Sequence, residues 1–526
     1  MRKIIANNIK IPIEYSERDA LEHALKKMKV NGIICNNPVI YKKSLDARKK
    51  NDIHFVYSII METGCNKSVA RIPDVHNFDE TKPFVLDEKM VTCDKNKKIL
   101  IVGSGPCGLF SAYVLAKFGF RPLLIERGSD VDVRNEKILH FWKTGEIDEN
   151  TNIQFGEGGA GTFSDGKLNT RIGDPLQRTI LEIFVENGAP SDILYQAKPH
   201  IGTDLLRECV RNIREKIIDS GGEVMFNTCL TDLIIKNGKI SGAELNHNKQ
   251  IDCDCIILAL GHSSRDTYEM LERRGVAMEQ KPFAAGVRIE HSREYINETQ
   301  YGNAENTSIL PTADYRLAYN GENRSCYSFC MCPGGVVVNA SSEKDSLVVN
   351  GMSYHSRMER NSNSALVVSV RPEDFEGCSP LAGVEFQRKY ERLAYASANG
   401  RGPVQLAKDF LRNKSSNKFD GVLPSFTGKT EFVDLRSCLP DFITETLKEG
   451  LLYFDNKMKG FSSCGSVLTG VEMRTSAPLR IKRDKDYESV NIKGLFPAGE
   501  GAGYAGGIMS AAIDGVRIAG RISGIL

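Results

Sequence analysis

Gly103, Gly105 and Gly108 stand at the spacing G-x-G-x-x-G, and a carboxylate follows at Glu126. This set suits the holding of a dinucleotide. The first glycine permits a tight turn, the second lets the backbone approach a pyrophosphate, and the third lets a helix pack against a strand. Amides at the helix N-terminus face the phosphates, and the acid accepts the ribose hydroxyls. Pro106 and Cys107 belong to the same turn, and Arg127 follows the acid. A second glycine-dense element closes the chain. Gly499, Glu500, Gly506 and Gly507 lead into Ile508, after which small and aliphatic residues recur at helical spacing. A nicotinamide enzyme with one Rossmann unit has no need of this element. FAD does, because its ribitol and ring reach across a sheet. The helix N-terminus near Gly506, Gly507 and Ile508 can direct partial positive charge at the flavin N1/C2 carbonyl and stabilise the reduced ring. The cofactor expected is FAD.

The elements that must position these residues are legible around them. Residues 99–102 are a short apolar run suited to a strand buried on both faces, and the second strand ends at Glu126. The FGEGGAGT run at 155–162 contributes Gly158, Gly159, Gly161 and Thr162, a glycine loop whose free amides could line the pyrophosphate or ring. Thr203 can cap a helix over 204–219 that ends at Gly221 and Gly222. Strands at 223–226, 231–236 and 240–245 form a small antiparallel meander with an Asn-Gly turn at 237–238. The buried strand 255–260 ends at Gly261. No second G-x-G-x-x-G occurs there, so no dedicated NAD(P)H domain is expected.

The two ends of the chain are similar to the glutathione-reductase-like superfamily of FAD proteins, in the branch with a single dinucleotide fold and an inserted second domain. More closely, the chain resembles a family described as FAD-dependent dehydrogenases or oxidoreductases. The resemblance rests on FGEGGAGTFSDGKLNTR from Phe155, KPHIGTDLL from Lys198, ALGHSSRDTYEML from Ala259 and KPFAAGVRIEH from Lys281. It continues in YSFCMCPGG from Tyr327, GMSYHSR from Gly351, VEMRTSAPLRI from Val471 and the terminal PAGEGAGYAGGIMSAAIDG. The resemblance implies that the loop at 155–162, with Lys167 and Asn169 just beyond, lies close to the flavin. It also implies that the turn at Gly261 returns the chain to the FAD edge.

The fold class expected is α/β: a Rossmann-like FAD-binding domain with an inserted α+β substrate domain and a small N-terminal α+β module. The divisions are 1–94 for the module, 95–280 and 469–526 for the two parts of the FAD domain, and 281–468 for the insertion. In the module, 4–13 is strand-like, 17–28 an amphipathic helix and 53–62 an alternating strand, with a polar linker from 73 to 98. In the insertion, strands are expected at 287–289, 325–329, 336–340, 347–349 and 366–370, and helices at 386–397 and 441–457. A sheet facing the flavin with helices behind it is the expected layout.

A chain of 526 residues with a formal charge of +2 has no global pull towards nucleic acid or membrane. It contains no apolar run long enough for a transmembrane helix, and its start lacks a signal-peptide core. Fourteen dispersed cysteines fit a reducing compartment, with cytoplasm as the default. Residues 1–98 are basic by six charges, much of it from Lys42, Lys43, Arg48, Lys49 and Lys50. One reading is a patch for nucleic acid or an acidic partner; a solvated strand and hairpin surface is preferred.

The catalytic candidates are few. Cys326, Cys330 and Cys332 precede a Pro-Gly-Gly turn and could exchange electrons with a flavin as thiolates. Metal binding is disfavoured, since only three cysteines cluster and no histidine stands at ligand spacing. On a regular strand all three share one face, a 330–332 disulfide would be strained, and small buried side chains are the preferred reading. Cys253 and Cys255 are expected in the core. His262 follows the strand to Gly261, while His200, His291 and His355 fall in the resembling motifs. Arg288, Arg474 and Thr475 could polarise a substrate carbonyl or carboxylate, though a structural role is preferred for each.

These readings converge on an FAD-dependent oxidoreductase transferring a hydride between a small-molecule substrate and flavin N5. NAD(P)H or a protein serves as electron donor. A flavin monooxygenase using NAD(P)H is the alternative, and a flavin-regulated nucleic-acid-binding protein acting through residues 1–94 is another.

Overall fold

The computed structural model describes residues 1–79, 88–168, 173–302 and 309–525. Its centre is a five-stranded parallel sheet in the order Leu495–Pro497, Cys255–Leu258, Ile99–Val102, Leu123–Ile125, Glu223–Met225. The middle strands are buried throughout, as their unbroken apolar runs require in a sheet covered on both faces. On one face the helix Pro106–Lys117 packs against the terminal helix Ile508–Ser523. Their close approach is set at Gly515, where a methyl group would overlap the Cys107 carbonyl oxygen; Ser111 Oγ donates to Gly515 O at 3.0 Å. On the other face lies the antiparallel meander Leu230–Lys236, Lys239–Leu245 and Lys249–Asp252. Asn237 and Gly238, at φ +50° and +72°, make the hairpin turn expected of an Asn-Gly pair.

The inserted region is a seven-stranded sheet in the order Ala318–Asn320, Ser325–Cys332, Asn361–Val370, Phe283–Ser292, Val467–Glu472, Gly402–Leu406, Thr430–Phe432. The helices Ala382–Ser397 and Asp441–Lys457 cover the face that carries Val287, Ile289, Leu366 and Val368. Polar residues such as Arg288 and Glu290 occupy the alternate positions of the same strand. The boundary expected at 468/469 falls inside the strand Val467–Glu472, which pairs with Phe283–Ser292 and is continuous with the inserted sheet. A two-stranded ribbon, Met278–Gln280 with Leu479–Ile481, carries the chain into and out of this region.

The N-terminal module is the antiparallel sheet Asn36–Asp46, His54–Thr63, Arg2–Pro12, Val75–Asn77, with the helix Glu17–Val30 packed on it. A capping box between Ser16 and Asp19 starts that helix. Residues 75–78, expected in a linker, remain in the sheet: Val75–Asn77 pairs with the first strand, and Phe78 N donates to Lys3 O. The outer strand is tied to the segment at 195–197, since Lys43 N donates to Tyr195 O at 2.7 Å and Ala197 N to Lys43 O at 2.8 Å. Two members of the basic cluster, Lys43 and Arg48, are paired within the module. Lys43 Nζ is 2.8 Å from Glu17 and lies over the Phe55 ring, and Arg48 pairs with Asp46 at 2.5 Å. Nothing in this arrangement supports a nucleic-acid surface.

Candidate functional site

A cavity of about 470 Å³ lies along the carboxyl ends of four parallel strands, between them and the inserted sheet. Gly103, Gly105, Pro106 and Cys107 line it from the first turn. Gly103 takes φ +100°, and a methyl group there would overlap the Ala259 carbonyl oxygen. Gly105 is the N-cap of Pro106–Lys117 and offers no side-chain cap, so the first amides of that helix are left for another acceptor. Gly108 does not reach the cavity. It sits beneath the turn, where a methyl would strike Gly103 O, and allows the helix to lie against the strand. Gly507 is likewise an N-cap without a side-chain bond, and it lines the same cavity with Gly506 and Ile508. Two uncapped helix N-termini facing one cavity form a cradle for anionic and electron-rich groups, which is what the pyrophosphate and ring of FAD require.

Glu126 and Arg127 line another part of the wall with Thr228, Cys229 and Thr267. Both Glu126 oxygens already accept bonds: Ser104 N and Oγ at 2.9 Å on Oε2, and Gly128 N at 3.0 Å and Gly156 N at 2.9 Å on Oε1. The carboxylate is thereby fixed in place at the wall, each of its four lone-pair sites already accepting a bond. Arg127 is held over the Phe155 ring at 4.4 Å and bonded to Asp266 and Thr267.

The glycine loop at 155–162 behaves differently from the expectation of free amides. Gly156, Glu157, Gly158, Gly159 and Thr162 spend theirs on Glu126, Ser129, Ser104, Gly156 and Gly159. The buried Arg134 fastens the loop from beneath, donating to the carbonyls of Asn152, Ile153, Glu157 and Gly159. What the loop gives the cavity is closeness: Gly159 and Gly161 line it, and a methyl on Gly159 would stand 2.9 Å from Gly105 Cα. Gly158 and Thr162 lie behind it. Thr203 is inside its helix with Gly202 as N-cap, and its hydroxyl donates to Thr162 O at 2.7 Å instead of capping. Gly499 also lies behind, donating to Asp514 at 2.7 Å, while Gly261 and Glu500 line the cavity. Asn169, expected beside Lys167, lies outside the described residues.

The remaining wall comes from Lys167, Asp165, Phe329, Cys330, Asn350, Glu472, Arg474, Thr475 and His262. Arg288 spends all five of its donors within the protein, and Arg474 four of its five. Arg288 bonds Glu472 through Nε and Nη2, and also Asn363, Asn350 and the Cys330 carbonyl. Arg474 bonds Glu391 twice, with Ser263 and Ser342. Thr475 is paired with the Ala284 backbone. Burial, with Arg474 and Arg265 nearby, holds His262 down to about 3, so it faces the cavity as a neutral ring. His200 and His355 stack at 5.2 Å behind Lys167, and His291 is buried against Phe461, away from the cavity. Asp165, Asn350, Glu472 and Ser263 were missed by sequence reasoning. Asp165 and Glu472 sit inside the motif runs, but neither had a spacing partner to single it out.

Glu500 is pushed up to about 7 by burial, against the pull of Lys281. Its folded value lies above the ordinary 4.5, so the native apoprotein keeps a proton that the unfolded chain loses between pH 4.5 and 7. Apoprotein stability should therefore fall as pH rises through that window, by at most about 3 kcal/mol. Glu500→Gln should flatten the slope in chemical denaturation series at stepped pH; an unchanged slope would assign it to another group.

The three cysteines do not share a face. Cys326 pairs with Val368 and points to the helix side, where Gly450 packs against its sulfur. The register then slips between Phe329 and Cys332, which moves Cys330 to the cavity wall and Cys332 behind it. Cys253 and Cys255 are buried in the core. Among the described residues no cluster of His, Cys, Asp or Glu is placed to hold a metal ion, and no helix is long and apolar enough to cross a membrane.

Comparison with known proteins bears on this geometry. Residues 282–475 match the family described as "FAD-dependent protein, C-terminal domain-like", residues 101–138 the "NAD(P)-binding Rossmann-like domain", and residues 1–62 a domain of unknown function. An uncharacterized protein of Clostridium beijerinckii (strain ATCC 51743 / NCIMB 8052) is 49% identical over 524 residues, covering 98% of each chain. The thiamine thiazole synthase of Aeropyrum pernix is 24% identical over 191 residues, 33% of this chain and 58% of that one. Among solved structures, glycine oxidase from Bacillus cereus ATCC 14579 is 12% identical, covers 82% of this chain and 95% of its own, and has a TM-score of 0.34.

Proposed function

The chain belongs to the FAD-dependent oxidoreductase family, and we propose that it moves a hydride between a small organic substrate and flavin N5. The reading is carried by one observation: a single cavity is shared by two uncapped helix N-termini, a fixed carboxylate and a polar wall from the inserted sheet. FAD, when bound, supplies the two-electron acceptor and donor. Gly103, Gly105 and the amides after Pro106 would hold its pyrophosphate, with Glu126 beside its ribose, where a hydroxyl would share an oxygen that already accepts from Ser104, Gly128 or Gly156. The N-terminus at Gly507 and Ile508 would favour negative charge on the ring. Lys167, Asn350 and Glu472 are left to orient the substrate, and the inserted sheet to exclude water. Glu500, poised near neutrality, can hold or release a proton at its carboxyl oxygen.

The visible spectrum of purified protein, recorded before and after anaerobic addition of NADPH or NADH, tests this reading. Oxidised-flavin bands are expected. Rapid bleaching would identify a pyridine-nucleotide donor, and oxygen uptake on readmission of air would then favour a monooxygenase. Persistent bands would direct the search to organic donors. Protein without flavin bands after reconstitution with FAD would overturn the proposal.

A further inference from the structure

Cys330 occupies an unusual place. The strand Ser325–Cys332 runs in register with Asn361–Val370 from Cys326↔Val368 to Phe329↔Ala365, and resumes at Cys332↔Asn363. Cys330 sits in that slip with φ +43°, so it is the residue at which the strand bulges. Along a regular strand two such positions stand about 6.6 Å apart, near the limit for a disulfide. Here the bulge folds the chain, and the Cys332 thiol reaches Cys330, with Cys332 Sγ 3.4 Å from the Cys330 carbonyl oxygen. The two sulfurs differ in access. Cys330 lines the FAD cavity, whereas Cys332 is fully buried behind it.

Their surroundings divide the charge unequally. Lys167 Nζ donates to the carbonyl of Met331, between the two cysteines, and Arg288 Nη1 donates to the Cys330 carbonyl at 3.2 Å. A methyl on Gly351 would meet Arg288, Asn363 and the Cys332 sulfur together, so these groups converge on one point. The hydrogen bond from Cys332, aided by Lys167 and Arg288, holds the Cys330 thiol below its usual range despite burial. The same bond, with burial, holds Cys332 well above it. Elsewhere in the chain burial, the largest cause in each case, pushes Cys255, Cys326 and Cys438 up to about 12. Of the two sulfurs, Cys330 at the cavity is thus the more readily ionised and Cys332 the one that holds its proton, the order in which a disulfide closes.

We propose that Cys330 and Cys332 are a dithiol–disulfide couple that exchanges one electron pair with the flavin. The proposal rests on the FAD reading of the cavity. In the oxidising direction the Cys330–Cys332 S–S bond forms and the Cys332 S–H bond breaks. Oxidised flavin takes the electron pair and that proton, so its reduced form carries the negative charge that the thiolate began with. In the reverse direction reduced flavin returns the pair and the proton, the S–S bond breaks, and Cys330 leaves as thiolate. The protein would then store two electron pairs, one on FAD and one on sulfur.

Anaerobic reductive titration of the FAD-loaded protein, oxidised beforehand with ferricyanide, reads that capacity directly. Wild type should take up two electron pairs per FAD, and Cys330→Ser and Cys332→Ser one each. Mass mapping of wild-type apoprotein, oxidised with diamide and alkylated after denaturation, needs no variant to fold. The tryptic peptide from Ser325 to Lys344 should carry a label on Cys326 alone, and on all three cysteines after reduction. Uptake of one pair by wild type, or full labelling of the oxidised peptide, would overturn the couple while leaving the FAD site intact. Protein that never binds FAD would overturn both.

Discussion

Gly103→Ala should strip the protein of its flavin: the variant is expected to purify without flavin bands and to need at least about tenfold more FAD on reconstitution. Two costs add at this position. Its φ of +100° lies where an L-residue is strained, by about 1–2 kcal/mol. The new methyl would also overlap the carbonyl oxygen of Ala259. That oxygen is backbone at the end of the neighbouring strand and cannot swing aside as a flexible side chain can. A factor of ten in affinity needs only about 1.4 kcal/mol, so either cost alone approaches the predicted loss. Gly159→Ala tests the same cradle from the other side, because its methyl would stand 2.9 Å from Gly105 Cα and close the gap between turn and loop. Gly64→Ala, whose methyl meets open space, serves as control. Fluorescence titration with FAD, alongside circular dichroism to show that each apoprotein is folded, separates lost binding from lost fold. Wild-type affinity in a folded Gly103→Ala protein would mean that the turn does not hold the cofactor.

That cradle was legible in the sequence because its requirements are local. A tight turn, a close approach and a helix start each need glycine at a fixed offset, so spacing alone brings Gly103, Gly105 and Gly108 together. The same holds at Gly507, where the helix start can be seen in the residues themselves. The amides of 155–162 were misjudged because a glycine loop does not disclose its partners. Ser104, Ser129 and Glu126 take those amides from the loop, and only the tertiary structure brings them to it. The cysteines failed for another reason. Even spacing places Cys326, Cys330 and Cys332 on one face only if the strand is regular, and a single extra residue at a bulge reverses the parity. The boundary expected at 468/469 falls inside the strand Val467–Glu472, whose extent is defined by its pairing with Phe283–Ser292, far away in sequence.

Least visible of all was the charge network around Glu391, and it yields the largest stability prediction. Glu391 is fully buried, and each of its oxygens accepts from both Arg265 and Arg474, at 2.6–3.0 Å. Arg265 also reaches Glu343 at 2.6 Å, which Arg388 holds from the other side at 2.8 Å. Segments around Arg265, Glu343, Glu391 and Arg474, distant in sequence, are therefore joined into one network, next to the cavity that Arg474 lines. Glu391→Gln removes the charge that compensates two buried guanidinium groups and should cost about 3–5 kcal/mol, as breaking a buried ion pair does. Arg474→Met should cost less, since Glu391 keeps Arg265, and adding it to Glu391→Gln should recover part of the loss because one uncompensated cation is then gone. The sign of the pH dependence follows from the same contacts. Despite burial, Arg265 and Arg474 hold Glu391 down to about 2, below its ordinary 4.5, so its contribution is complete above pH 4.5 and is lost as pH falls towards 2. Wild type should thus lose stability in acid through that window, and Glu391→Gln should lose less. Urea denaturation of the three variants at neutral and acid pH measures all of this. A Glu391→Gln protein within about 1 kcal/mol of wild type would show that solvent or neighbouring groups already compensate the two arginines.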